Sequence, residues 1–188
     1  MAIKPGAVVD KGGNKLFILQ MDVSGATYAQ ATLTVETYLF DLGYIANSDV
    51  AQNATKTDFD AEDGDTVTSS FTYTRMTSGN LMQSDAALID LLADTVKGKV
   101  YLEGKFTGNV NNTYQWHFKL VRITPQFSVK RPGGTNSLAY ESTGIKLNSA
   151  ITISAATMAS INNLLTLSNF PTTTLTISTS KNYAIMEV

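Results

Sequence analysis

Short runs in which apolar residues alternate with polar ones, each ended by Gly, Asn, Pro or Asp, return along most of this 188-residue chain. Successive side chains of an extended strand point to opposite faces, so a period of two describes a strand with one buried side. Residues 32–39 (TLTVETYL) set Leu33, Val35, Thr37 and Leu39 against Thr32, Thr34, Glu36 and Tyr38. Residues 66–76 (TVTSSFTYTRM) place Val67, Ser69, Phe71, Tyr73 and Arg75 together. Residues 15–23 (KLFILQMDV) form a denser apolar strand that Gly25 closes, and 99–106 (KVYLEGKF) with 114–124 (YQWHFKLVRIT) flank TGNVNNT, a connection suited to an antiparallel hairpin. Pro125 has no N–H to give a ladder, so 126–130 (QFSVK) is expected to be a bend, an edge or a crossing between sheets. A turn at 131–136 (RPGGTN) leads to another alternating strand at 137–147, broken near Gly144. A chain written this way is mainly β.

Three stretches depart from the period. Residues 84–97 read as a helix: Ser84 as cap, Asp85 at the positive end of the dipole, Leu88, Ile89, Leu91, Leu92 and Val96 as an apolar stripe, and Gly98 as a left-handed stop. A stripe that wide has to pack on a sheet. Residues 41–65 lose all periodicity and predict a loop of about 25 residues, a length usually reserved for function. Residues 1–14, with Pro5, Gly6, Gly12 and Gly13, predict an irregular arm. In the C-terminal segment 150–188, 151–154 and 175–178 read as strands, 157–167 as a short helix with Met158, Ile161, Leu164 and Leu165 on one face, and 181–188 as a last strand or arm.

The length fits a single domain, 1–188. Charged residues make up only 16% of the chain against 43% hydrophobic. That leaves a polar, weakly charged surface on which copies repel one another little, so self-association is permitted. A net charge of −2 and a pI near 5.3 supply no field to hold a phosphate backbone. The absence of Cys removes disulfides, thiolate metal sites and Cys nucleophiles. No stretch reads as a signal peptide or as a membrane span, so no membrane partner is expected.

Candidate chemistry is sparse. Asp58, Asp60, Glu62, Asp63 and Asp65 are the densest set of metal-type ligands. An EF-hand loop begun at Asp58 would need Gly at its sixth position and Glu at its twelfth, where this chain has Asp63 and Ser69. A solvated acidic loop is the better reading. His117 is the sole histidine, so a catalytic triad or a His-ligated metal would have to use it. The alternation places it opposite Trp116 and Phe118, with Gln115 and Lys119 on a polar face, and no nucleophile elbow or phosphate loop accompanies it. Arg75, Lys119, Arg122, Lys130 and Arg131 interleave with Tyr73, Tyr101, Tyr114 and Trp116 as a stacking platform for single strands would, but aromatic residues on strands are ordinarily packing residues. No catalytic residue, resident metal or cofactor is expected, and the chain reads as a structural protein, not an enzyme.

The order of elements, with an acidic turn feeding a Thr/Ser-rich strand (FDAEDGDTVTSSFTYT, 59–74), the helix and its following strand (DAALIDLLADTVKGKVYLEGKF, 85–106) and QWHFKLVRITPQFSV (115–129), resembles the bacteriophage tail tube proteins and the related type VI secretion tube subunits. The likeness is one of organisation over the central half of the chain. It implies an antiparallel β-sandwich or half-open barrel of two sheets, with one flanking helix at about 84–97, a long inter-strand loop and extended terminal arms. It further implies homohexameric rings stacked into a tube of the virion, made in the host cytoplasm, through whose lumen DNA passes as a transient passenger. Sheath, tape measure, baseplate and terminator proteins are the partners it implies. By the same analogy Tyr44, Ile45, Val50, Phe59 and Asp60 in the loop, and Lys4 and Pro5 in the arm, are inter-subunit contacts. Other β-type virion parts (a tail terminator, a capsid decoration protein, a pilus-like subunit) share such a composition. A carbohydrate-binding β-sandwich using Trp116 and Tyr114 is the alternative of a different class.

Overall fold

The strand around Phe17 is apolar on both faces, Leu16 and Ile18 on one side and Phe17, Leu19 and Met21 on the other, and all five are buried. A strand of that kind has to be covered twice, and the fold supplies two coverings. The computed structural model describes residues 15–24, 27–29, 35–60, 66–82, 85–110, 113–126, 129–130 and 137–188. The expected arm at 1–14, the closing Gly25 and the turn at 131–136 lie outside them.

In chain order the elements are β1 (Lys15–Ser24), β2 (Thr27–Ala29), α1 (Val35–Tyr38), β3 (Leu39–Asp60), β4 (Thr66–Leu81), α2 (Ala86–Asp90), β5 (Val100–Val110), β6 (Thr113–Ile123), β7 (Val129–Lys130), β8 (Ser137–Gly144), β9 (Ile151–Ile153), α3 (Ala155–Leu165), β10 (Leu175–Ile177) and β11 (Ala184–Glu187). Neighbours run β6-β5-β1-β3-β4-β8, every pair antiparallel, and β8 returns to β6 through Val121↔Gly144, Arg122↔Thr143 and Ile123↔Ser142. The sheet therefore closes into a six-stranded barrel. This corrects the expected sandwich or half-open barrel of two sheets. Beyond its ladder with β5, β6 fills its second edge twice, with β11 at Gln115 to Phe118 and with β8 at Val121 to Ile123, so little of it is left unpaired.

Leu16, Ile18, Leu42, Ile45, Leu81, Tyr101, Val121, Ile123, Leu138 and Tyr140 form one cluster inside the barrel. Leu88, Leu91, Leu92 and Val96 join it from the helical segment, which stoppers one end. The second cluster lies outside the wall, where Phe17, Leu19, Leu102, Trp116, Phe118 and Leu120 meet Met158, Ile161 and Leu165 of α3 and the small β9–β10 sheet. Gly104 sits opposite Phe17 in the β1–β5 ladder, and a Cβ there would stand 2.3 Å from the Phe17 ring. The ring occupies the space a side chain would need, which explains glycine in mid-strand. Lys15 Nζ, 3.5 Å from Asp41 and 3.5 Å from the Leu165 carbonyl, ties α3 to the barrel.

Three sequence expectations change. Val35 and Tyr38, within the stretch 32–39, belong to a helical turn and pack together on the outer cluster, a spacing of three that the alternation of Leu33, Val35, Thr37 and Leu39 disguised. The supposed loop at 41–65 is mostly β3, paired with β4 as far as Asp60↔Thr66. The helix expected over 84–97 is capped by Asp85, whose carboxylate accepts from the Ala87 N–H at 2.8 Å, and it widens after Asp90 into a π-turn, Leu91–Thr95, closed by Val96 N–H to Leu91 O at 3.1 Å. Gly98 stops it with φ +72, as the sequence predicts. In the C-terminal segment the strands fall where the pattern put them, and α3 begins at Ala155 behind the cap Ser154, earlier than expected.

Candidate functional site

The interior is not apolar throughout. Tyr101, Glu103 and Lys105 share the inward face of β5, opposite Lys119 and His117 of β6, and Glu103 is 1% exposed. Its Oε1 accepts from Thr77 Oγ1 at 2.8 Å and lies 3.5 Å from Lys119 Nζ, while Lys119 Nζ donates to Thr77 Oγ1 at 2.7 Å. Its Oε2 accepts from Tyr140 OH at 2.7 Å and from Ser142 Oγ. One carboxylate thus ties together β4, β5, β6 and β8. Burial pushes Glu103 upward, but Lys119 and the three hydroxyl donors outweigh it and hold the group below its ordinary 4.5. Burial and the neighbouring Glu103 charge raise Tyr140 well above the usual phenol range, and burial pushes Tyr101 up to about 12. With its oxygens taken up by donors and its fellows held in their resting forms, this carboxylate has no open position for a substrate, and its work is to pin four strands together.

Lys105 Nζ donates to Ser48 Oγ at 2.9 Å, and burial lowers its ammonium below the usual range against the pull of Glu103. His117 is half-buried on the side the alternation predicted, but its surroundings are cationic. Burial first, then Arg75, Lys105 and Lys119, hold its imidazole below the ordinary 6.5. A base whose folded pKa is depressed contributes stability that is complete above the unfolded value and is lost as pH falls toward the folded one. With no other histidine in the chain, His117 is expected to contribute a decline in unfolding midpoint between pH 7.5 and 5. In His117→Gln that decline is expected to flatten, as read by urea denaturation at the two pH values.

The other distinctive feature is backbone. β1 pairs with β3 only over Leu39 to Tyr44, and β8 pairs with β4 only over Met76 to Leu81. From Gln52↔Arg75 to Asp60↔Thr66 the two strands are paired with each other alone among the described residues, so a two-stranded ribbon leaves the barrel. At about 3.4 Å per residue, it projects on the order of 27 Å. At its root Arg75 Nε donates to Gln52 Oε1 at 3.1 Å and the guanidinium lies 3.3 Å from the Tyr183 ring centroid. Gln52, Arg75, Ile145, Lys146, Lys181 and Tyr183 line a cleft of about 430 Å³ there.

The residues singled out from the sequence are distributed unevenly over this frame. Asp58, Phe59 and Asp60 lie on the ribbon by their backbone; Glu62, Asp63, Asp65, Lys4 and Pro5 lie outside the described residues. Tyr44 and Val50 are half-buried, whereas Ile45 is 2% exposed in the barrel interior and is not available to a neighbouring chain. Among the described residues no group of three or more His, Cys, Asp or Glu side chains could hold a metal ion, and no helix is long and apolar enough to cross a membrane. Trp116, 1% exposed, is covered by Phe170 and donates its indole N–H to the Asn169 carbonyl at 2.6 Å, so it offers no face to a sugar or a base. The buried ion pair escaped the sequence reading, since Glu103 and Lys119 are far apart in the chain and only the β5–β6 register, Glu103↔Lys119, makes them partners.

No protein-family model matches the chain, and no curated protein matches it. Among solved structures, a chain from the "virion of native gene transfer agent (GTA) particle" superposes with a TM-score of 0.39 at 15% identity, covering 69% of this chain and 90% of that one. The similarity to this virion chain is weak.

Proposed function

We propose that this chain is a structural subunit of a phage tail tube, without catalytic function, that forms homohexameric rings stacked around a lumen for DNA. The observation that carries the reading is the projecting ribbon. Two strands with no third partner are marginally stable in water, because neither outer edge nor either face gains enough from burial. Another copy supplies what the ribbon lacks, and the low charge of the surface permits the approach. The element order that resembles tail tube subunits supports the same assignment, with Tyr44, Val50, Phe59 and Asp60 as contacts on the β3 side and Lys4 and Pro5 in the arm. Sheath, tape measure, baseplate and terminator proteins are then the further partners.

The test is the assembly state of the purified chain, by negative-stain electron microscopy and sedimentation velocity. Six-fold rings that stack are expected; a chain that remains monomeric at high concentration overturns the reading, and rings that never stack point to a terminator. Replacing residues 54–73 by Asn-Gly joins Asn53 to Thr74 through a tight hairpin turn. This variant is expected to keep the barrel's circular dichroism while the concentration needed for assembly rises at least about a hundredfold.

A further inference from the structure

We infer that the cleft at the root of the ribbon binds a small phosphorylated compound and holds it through its phosphate groups. The site is complete within one chain and does not depend on assembly. Arg75, Lys146 and Lys181 all line the cleft, and among the described residues no carboxylate does. Lys146 and Lys181 are exposed and form no ion pair among the described residues. Arg75 commits its Nε to Gln52, and Tyr183 backs the guanidinium plane, but its two terminal nitrogens have no hydrogen-bond partner among the described residues. A planar fork held in this way is set to donate to two oxygens of one anion.

The positive charge is not cancelled from behind. Arg75 and Tyr183 also border an inner pocket with Glu103, Lys105, His117 and Lys119, where the one carboxylate is already taken up by Lys119 and three hydroxyls. Cations are therefore in excess on both sides of Arg75, in a chain whose net charge is −2. The cleft is also shaped in advance. The Asn182 side chain accepts the Leu147 N–H at 2.8 Å and the Asn182 N–H donates to the Ser178 carbonyl at 2.8 Å, which fixes the turn carrying Thr179, Ser180 and Lys181. Gly144 keeps the wall thin, since a Cβ there would come within 3.0 Å of the Arg75 carbonyl. A space of about 430 Å³ is of the size that small ligands fill. A terminal phosphate brings three acceptor oxygens, one for each cation, and close to two charges, whereas a carboxylate brings two oxygens and a single charge.

The test is isothermal titration calorimetry of the full chain with inorganic pyrophosphate at neutral pH. Binding at one site per chain with a Kd on the order of 0.1 mM is expected. Lys146→Gln/Lys181→Gln, at exposed positions, should weaken it at least about tenfold. Arg75→Lys keeps the charge and removes the fork, and should weaken it about fivefold. Lys97→Gln, at an exposed lysine outside the cleft, should leave it within about twofold of wild type. The lysine pair carries the test even if Arg75→Lys disturbs the ribbon root. Absence of binding overturns the proposal, and so does binding that the lysine pair leaves unchanged or that Lys97→Gln weakens as much. Tricarballylate, with three carboxylates, is expected to bind at least about tenfold more weakly than pyrophosphate, and equal binding would remove the preference for phosphate. If a labelled DNA duplex binds through Lys146 and Lys181 and pyrophosphate does not displace it, the cleft belongs to a nucleic-acid surface and the proposal falls. None of these failures touches the assembly reading, which is decided by microscopy and sedimentation.

Discussion

Glu103→Ala is expected to lower the free energy of unfolding by about 3 to 5 kcal/mol. The substitution leaves the Lys119 ammonium, 5% exposed, without its counter-charge, and strands the hydroxyls of Thr77, Tyr140 and Ser142 that now donate to the carboxylate. Urea unfolding followed by circular dichroism gives the number directly. The double variant Glu103→Met/Lys119→Met removes both charges and fills the space, so it should be less damaging than Glu103→Ala by at least about 1 kcal/mol. Because the folded pKa of Glu103 lies below its ordinary 4.5, its contribution is present above that pH and is lost as pH falls through the lowered folded value. The gap between wild type and Glu103→Ala should therefore narrow in acid. A gap that is under 1 kcal/mol at pH 7 would mean that the four-strand tie is not formed in solution.

Trp116→Ala should be comparably severe, about 3 to 5 kcal/mol, or a fall in Tm of roughly 10 °C for a chain of this size. The indole packs against Phe17, Phe106, Phe118 and Phe170, the last edge-on at 4.9 Å between centroids, and its N–H is satisfied by Asn169. Truncation opens a cavity at the junction between the barrel wall and its C-terminal cover. Trp116→Phe keeps most of the volume and gives up only the hydrogen bond, so about 1 to 2 kcal/mol is expected. Circular dichroism is the proper readout, as this is the only tryptophan. A loss below 1 kcal/mol for the alanine variant would show that the C-terminal cover does not pack on the wall.

What could be read from the residues follows from which faces are buried. β1, β5, β6 and β8 each present apolar side chains to a core, so their composition and period announced them. α3 announced itself through Met158, Ile161 and Leu165, all buried on one side. β3 did not, because Gln52, Asn53 and Ala54, just past Ala51, are all exposed, and a stretch wet on both faces has no reason to alternate. The turn at Val35 to Tyr38 failed for the opposite reason, as four residues are too few to separate a spacing of three from one of two. Closure of the sheet was beyond local pattern altogether. It depends on β6 meeting β8 across about twenty residues of intervening chain, and three residue pairs decide it. The cleft was hidden likewise, since Arg75, Lys146 and Lys181 converge only once β11's approach sets Tyr183 over Arg75.

The filled barrel has a geometrical corollary. Leu16, Ile18, Tyr101, Glu103, Lys119 and Tyr140 crowd its axis, and Leu88 and Leu92 stop one mouth, so nothing can be threaded along the middle of a single subunit. Any conduit built from this protein is bounded by the outer walls of several copies, and its calibre is fixed by how many copies stand in the circle and at what tilt. Widening or narrowing that bore is then a matter of changing the contacts between neighbours, with the individual barrels left as they are.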